Sequence, residues 1–291
     1  MPLKDARTIK SALCPFRQSA RQFTRSLTKR LALPLLATLC LTVAVAVAVA
    51  ATAAKAAEIK VLTAGAYKPV VLALQADFEA QTGHRLKIEN DTAGTLQRRV
   101  AAGEAFDVLV ITPAALAQLV QAGKVVDGSK NEGATRSLAR VAIGVAVKSG
   151  AVLPDISTVS AFQNALLTAR AVAYIDPAAG GSSGIYLSQL FDKWGLAERI
   201  KAKAVLVPGG LVAQRVVDGQ ADIAIHQISE ILAVPGAMLV GPIPAEIQNY
   251  TVYAGGVSAT AADPAAARAL LDTLAGPAAA AVLNSRGMEA P

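Results

Sequence analysis

Ala102-Gly103-Glu104-Ala105-Phe106-Asp107-Val108-Leu109-Val110 and, much later, Asp218-Gly219-Gln220-Ala221-Asp222-Ile223 follow one plan. In each, a helical pattern stops at a glycine, a short polar step follows, and an aspartate opens an apolar run short enough to be a buried strand. Such a unit belongs to a chain that stacks βα units around a sheet, and two copies far apart predict two lobes of similar construction. Working outward, apolar runs at 59–63, 86–89, 107–111, 139–147, 171–175, 204–207, 222–225, 237–240 and 251–258 predict strands. Between them, Val71, Leu74 and Phe78 keep helical spacing after Pro69, with Gly83 as a stop. Leu116, Leu119 and Val120 do the same after Thr112-Pro113, and Pro264 and Pro277 open two final helices. The expectation is an α/β protein with mostly parallel sheets: lobe 1 from 57–140 plus 252–291, lobe 2 from 141–251, and a ligand cleft between them beyond the carboxyl ends of the strands.

Composition narrows the function. With 53% hydrophobic residues, 4% aromatics and two cysteines in 291 residues, disordered, collagen-like and disulfide-framework classes are excluded. The net charge of +7 is concentrated at the front: residues 1–56 hold nine Lys or Arg against Asp5, leaving 19 basic and 20 acidic residues, a net −1, in the rest. A near-neutral body with few aromatics lacks the basic face and stacking platforms of a nucleic-acid binder. Lys29-Arg30, the uncharged stretch 31–50 and the small-x-small site Ala54-Lys55-Ala56 read as a secretory signal peptide over 1–56, addressing the chain for export to an oxidising compartment. The competing reading is an uncleaved anchor, since about 20 apolar residues span a bilayer. Cys14 and Cys40 both fall in this leader, so the exported chain has no thiol for catalysis or metal binding.

Three small-residue loops follow predicted strands and open into helices: Ala64 to Pro69, Asp91 to Leu96, and Asp176 to Gly184. The free N–H groups of a helix's first turn attract anions, and Thr92, Thr95, Ser182 and Ser183 add hydroxyl donors. Each hydroxyl alone is equally at home as a helix cap; three such loops at strand ends favour anion binding for the set. Gly180-Gly181-Ser182-Ser183-Gly184 also matches the G-x-S-x-G nucleophile elbow, with His226 downstream. Six residues separate Ile175 from Ser182, however, whereas an elbow serine sits on the turn directly after its strand. Two distant histidines give no metal spacing, and neither Walker loop nor dinucleotide fingerprint occurs, so neither metal nor cofactor is expected.

From about Glu58 to Pro291 the chain resembles the periplasmic substrate-binding proteins of ABC importers, class II fold, molybdate-binding type. The resemblance rests on I-K-V-L-T-A at the start, A-D-F-E-A-Q-T-G at 76–83, A-G-E-A-F-D-V-L-V, D-G-Q-A-D-I and the closing P-A-A-A-A-V-L-N-S-R-G-M. It implies ligand contacts at Ala66 and Tyr67, at Thr92, Gly94 and Thr95, at Gly181, Ser182 and Ser183, and at Gln227. The chain departs from the molybdate pattern in two places: Ala66-Tyr67-Lys68 stands where a serine is usual, and His226-Gln227 where a tyrosine is usual. Lys68 adds a charge that suits a carboxylate better than a metal oxyanion held by neutral donors. The G-G-S-S-G-I-Y-L turn and Gln227-Ile228-Ser229-Glu230 are similar to an aconitate isomerase-like branch of the family, whose one-proton shift needs a base. Candidate bases are His226, Glu230 and Lys68, each with a structural alternative: a hydrogen-bonded buried histidine, a first-turn acid at a helix dipole, a solvated cation. The expected function is capture of a small anion, carboxylate or metal oxyanion, by a monomer that presents it to an ABC permease; the alternative is an isomerase using the same cleft.

Overall fold

The computed structural model describes residues 56–129 and 133–291. The expected signal peptide, but for its last residue, lies outside the described residues.

The two echoing stretches do the same work. Gly103 and Gly219 take φ of 100° and 73°, the left-handed region where a side chain would be strained. Gly103 ends the helix Ala93–Ala101 and Gly219 the short helix Gln214–Val217. The aspartate that follows then ties its strand to the neighbouring segment: Asp107 Oδ2 accepts from the Lys60 N–H at 2.8 Å, and Asp222 Oδ2 from the Arg170 N–H at 2.6 Å.

Eleven strands form two sheets among the described residues. The first contains β1 (Glu58–Ala64), β2 (Arg85–Asp91), β3 (Val108–Ile111), β4 (Thr135–Val141), β10 (Thr251–Val257) and β11 (Met288–Glu289), in the order β11-β4-β10-β3-β1-β2. The second contains β5 (Ile143–Lys148), β6 (Val172–Ile175), β7 (Ala204–Val207), β8 (Ile223–Gln227) and β9 (Ala237–Pro242), in the order β7-β6-β8-β5-β9. Each sheet thus sets its first three βα strands in the order second, first, third, and adds a strand arriving from the other lobe.

The sheets are mixed, not mostly parallel as expected. The pairs β1–β2, β1–β3, β6–β7 and β6–β8 are parallel, as helical crossovers require, whereas β10 runs antiparallel to β3 and β4, and β5 antiparallel to β8 and β9. Strands followed by helices end at the cleft. A strand coming from the other lobe starts at the cleft, so β5 and β10 must run the opposite way. The run 139–147, expected as one strand, also divides. The carbonyl of Ala142 turns aside to accept from the Ile228 N–H at 3.0 Å, leaving β4 in one sheet and β5 in the other. The Gln248 side chain holds this crossing from the return segment, accepting from the Ile143 N–H at 2.9 Å and donating to its carbonyl at 3.0 Å.

Alternation along the strands feeds a helix layer on each face. In β1 and β3, Ile59, Val61, Val108 and Val110 pack with the helices Lys68–Thr82 and Pro264–Ala275, while Leu62, Leu109 and Ile111 pack with Ala93–Ala101 and Pro113–Gln121. In the second sheet, Ile223 and Ile225 join Phe162, Leu187 and Phe191, and Ala224 joins Val216 and Ile231 on the other side.

Candidate functional site

Loops from both sheets enclose one small, polar cavity, lined among others by Ala66, Asn90, Asp91, Thr92, Ser182, Ser183, His226, Gln227, Glu230 and Tyr253. Its volume of about 30 Å³ holds two or three water-sized groups.

The floor is the end of β8 and the turn of helix after it. Alternation turns Ile223 and Ile225 into one core layer, and the strand then delivers His226 and Gln227, both 2% exposed, to the cavity. One helical turn further, Glu230 folds back so that its Oε2 lies 3.2 Å from His226 Nε2. Its other oxygen, Oε1, occupies the space a Cβ at position 65 would fill, so only glycine there admits the carboxyl. At 3.2 Å the pair could be ionic or neutral; burial of both groups decides for the neutral form. Burial raises the Glu230 carboxyl to about 8 and drives the His226 imidazole well below its ordinary range. The proton therefore rests on Glu230, which donates to Nε2, and the imidazole hydrogen sits on Nδ1. Among the described residues neither His226 Nδ1 nor Gln227 Oε1 has a hydrogen-bond partner, although both are buried.

The ambiguity between cap and anion donor resolves differently in the two lobes. In the first, Thr92 caps its helix by accepting from the Thr95 N–H at 3.1 Å, and both hydroxyls donate to the carbonyl of Ala179 across the cleft. Beside them the Gly94 N–H donates to the Gly180 carbonyl at 3.1 Å, so this segment latches the lobes together. In the second lobe, the helix Ser182–Lys193 begins at Gly181 without a side-chain cap, leaving its first-turn N–H groups for a ligand. Ser182 joins Gln227 and Thr251 in a ring of hydrogen bonds of 2.8–3.1 Å, whereas the Ser183 hydroxyl makes no hydrogen bond among the described residues.

Of the residues singled out in the sequence, Ala66, Thr92, Gly181, Ser182, Ser183, His226, Gln227 and Glu230 meet at the cavity. Gly94 and Thr95 serve the latch beside it. Tyr67 turns into the core, fully buried, its hydroxyl donating to the Leu274 carbonyl at 2.9 Å, because its side chain fills the layer under the first helix. Lys68 stands further out and donates to Asn90 Oδ1 at 2.8 Å. Sequence reasoning missed Asn90, Asp91 and Tyr253. The signal for Tyr253 was available in β10, where Thr251 and Tyr253 alternate onto one face. Burial and the nearby Glu230 raise the Tyr253 hydroxyl, keeping it a neutral donor.

The defining pattern of the bacterial extracellular solute-binding proteins runs over residues 59–289. The chain belongs to that family. An aconitate isomerase of a Pseudomonas species is 35% identical over 243 residues, covering 81% of this chain and 89% of that protein. Among solved structures, the periplasmic molybdate-binding protein of Azotobacter vinelandii superposes with a TM-score of 0.66 at 20% identity, covering 80% of this chain and 99% of its own. The sulfate-binding protein SubI of Mycobacterium tuberculosis gives 0.64 at 17% identity, with 80% and 87% covered. This solute-binding protein therefore shares the two-lobed fold of the oxyanion binders.

The neutral pair makes stability depend on pH in a definite direction. Above its ordinary 4.5 the Glu230 carboxyl ionises in the unfolded chain while the folded one holds its proton to about 8, so stability falls as pH rises. Unfolded His226 gains a proton below 6.5 while the buried one stays neutral, so stability falls as pH drops. Between 4.5 and 6.5 the two slopes oppose; from 6.5 to 8 only the Glu230 slope remains. Denaturant titrations should show a loss of about 1 kcal/mol per pH unit across that upper window, and Glu230→Gln should flatten it. An unchanged slope in the variant would mean that the carboxyl is ionised in the fold.

Proposed function

We propose that the cleft takes a small polycarboxylate and that the His226–Glu230 pair shifts one proton along it, an isomerisation of the aconitate type carried out in the periplasm. The observation that carries this reading is a buried carboxyl hydrogen-bonded to a buried imidazole on the wall of the cavity. Holding an anion needs only donors around it, whereas shifting a proton needs a group that can take one and return it, and a buried carboxyl paired with an imidazole is such a group. The 35% identity to an aconitate isomerase supports the same chemistry.

In trans-aconitate a methylene and a vinyl C–H flank the central carbon. Glu230, ionised in a minor fraction at neutral pH, takes a methylene proton, and the electron pair spreads over the three-carbon allyl unit and the adjoining carboxylates. The same carboxyl returns the proton to the far carbon, so the double bond moves with no atom gained or lost. A carboxyl near 8 populates both forms close to the working pH, which a base that must later act as acid requires. His226 positions Glu230, while the Ser183 hydroxyl and the uncapped helix start stabilise charge on the substrate's carboxylates.

Calorimetry with tricarballylate, which lacks the double bond and does not react, should give tighter binding than molybdate or sulfate. Ser183→Ala should weaken it by about 1.5–3 kcal/mol, the range for a hydrogen bond to a charged group. Tight binding of molybdate with no affinity for polycarboxylates would overturn the reading. The latch between Thr92, Thr95 and the Ala179–Gly180 turn favours a second reading, a receptor whose closure signals an ABC permease. That reading is distinguished by tight polycarboxylate binding without turnover.

A further inference from the structure

A second chamber, about 550 Å³, adjoins the inner cavity and shares Gly65, Asn90, Gly210 and Glu230 with it as common wall. The inner cavity has room for one carboxylate, whereas a tricarboxylate has about a dozen non-hydrogen atoms; the rest of such a ligand must lie in the outer chamber if one end reaches Glu230. Two cations line that chamber, Lys68 from the first helix of lobe 1 and Arg286 from the turn Asn284–Arg286 near the chain's end. Elements far apart in sequence bring the two charges to one space. Arg286 makes no ion pair or hydrogen bond with any described residue. Lys68 donates to Asn90 Oδ1 and, having only donors, fixes which way that amide faces. Asn90 Nδ2 is thereby turned toward Gly65, on the wall common to both chambers. The same chamber is lined by Leu72 from lobe 1 and Leu211 and Leu232 from lobe 2, which expose 41–50% of their surface, apolar area suited to a short carbon chain.

We propose that this outer chamber is a second carboxylate subsite, in which Arg286 and Lys68 bind the distal carboxylates of a ligand whose proximal carboxylate occupies the inner cavity. It rests on the polycarboxylate reading above and adds the residues that select for a second and third carboxylate. Arginine meets a carboxylate with two parallel N–H groups and lysine with a point charge, so Arg286 carries more of the discrimination.

The test compares two ligands on three proteins. Calorimetry of the wild type, Arg286→Gln and Lys68→Met is run with tricarballylate and with butyrate, which keeps one carboxylate and has none to place in the outer chamber. Arg286→Gln should weaken tricarballylate about tenfold and butyrate by less than threefold; Lys68→Met should do the same to a smaller extent. Equal losses for both ligands, or no loss for tricarballylate, would overturn the subsite while leaving the inner site intact. A wild type that binds neither ligand would overturn the polycarboxylate reading itself, and the subsite with it. Both side chains reach solvent, so matching thermal transitions will show that the variants fold.

Discussion

Glu230→Gln should lose the proposed isomerase turnover by a factor of about 10²–10⁴, the usual worth of a positioned acid-base group, while tricarballylate affinity changes less than tenfold. The amide has nearly the volume of the carboxyl, still fits against Gly65, and still donates to His226 Nε2, so packing and the hydrogen bond survive. Only the ability to take and return a proton is lost. The separation between turnover and affinity distinguishes a catalytic group from a structural one: a variant that failed to bind would point to a collapsed floor, and one that still turned over would move the proton transfer to another residue. The pH profile of kcat in the wild type should correspondingly show a limb near the raised value of Glu230, about 8, absent from any variant that works by a different base.

Gly94→Val should weaken ligand binding by on the order of a hundredfold without lowering the melting temperature of the ligand-free protein. A Cβ at position 94 would lie 2.8 Å from the Gly180 Cα and 3.0 Å from its carbonyl oxygen, and these are backbone atoms that cannot swing aside. Closure of the lobes would be blocked at the latch, where Gly94 N–H meets the Gly180 carbonyl and the Thr92 and Thr95 hydroxyls meet Ala179. If the variant closes one time in a hundred, apparent affinity drops by the same factor. Small-angle scattering should then find the variant more extended than the wild type in the presence of ligand. Wild-type affinity in Gly94→Val would mean that binding does not need this contact.

The repeated helix-glycine-aspartate unit was legible because its turn is local, the glycine having to take the left-handed conformation after its helix; the partners of the two aspartates, the Lys60 and Arg170 N–H groups, lie far off in sequence and were not. Strand direction was not legible in the same way. Whether β5 or β10 runs parallel to its neighbours depends on the end from which the chain enters the lobe, and no property of Ile143–Lys148 or Thr251–Val257 encodes that. At the site, His226, Gln227 and Glu230 were readable because one strand and one helical turn carry all three. The hydroxyl loops were readable only as a group. Thr92 and Ser182 occupy similar positions at helix starts, yet one reaches across to Ala179 and the other faces Gln227 and Thr251, a distinction made by the opposite lobe. Asn90 and Arg286 come from segments with no local mark of a site and gain their place only through the sheet order and the return of the chain's end, whereas the alternation of Thr251 and Tyr253 in β10 did mark a shared face.

Proton NMR of trans-aconitate incubated with the purified wild-type protein tests the proton-shift reading most directly. Signals of the cis isomer should grow at a rate proportional to protein concentration and far above the protein-free control, and the same rate should fall at least a hundredfold with Glu230→Gln. A saturated complex, verified by calorimetry, in which trans-aconitate stays unchanged would contradict the isomerase and leave a polycarboxylate receptor in its place.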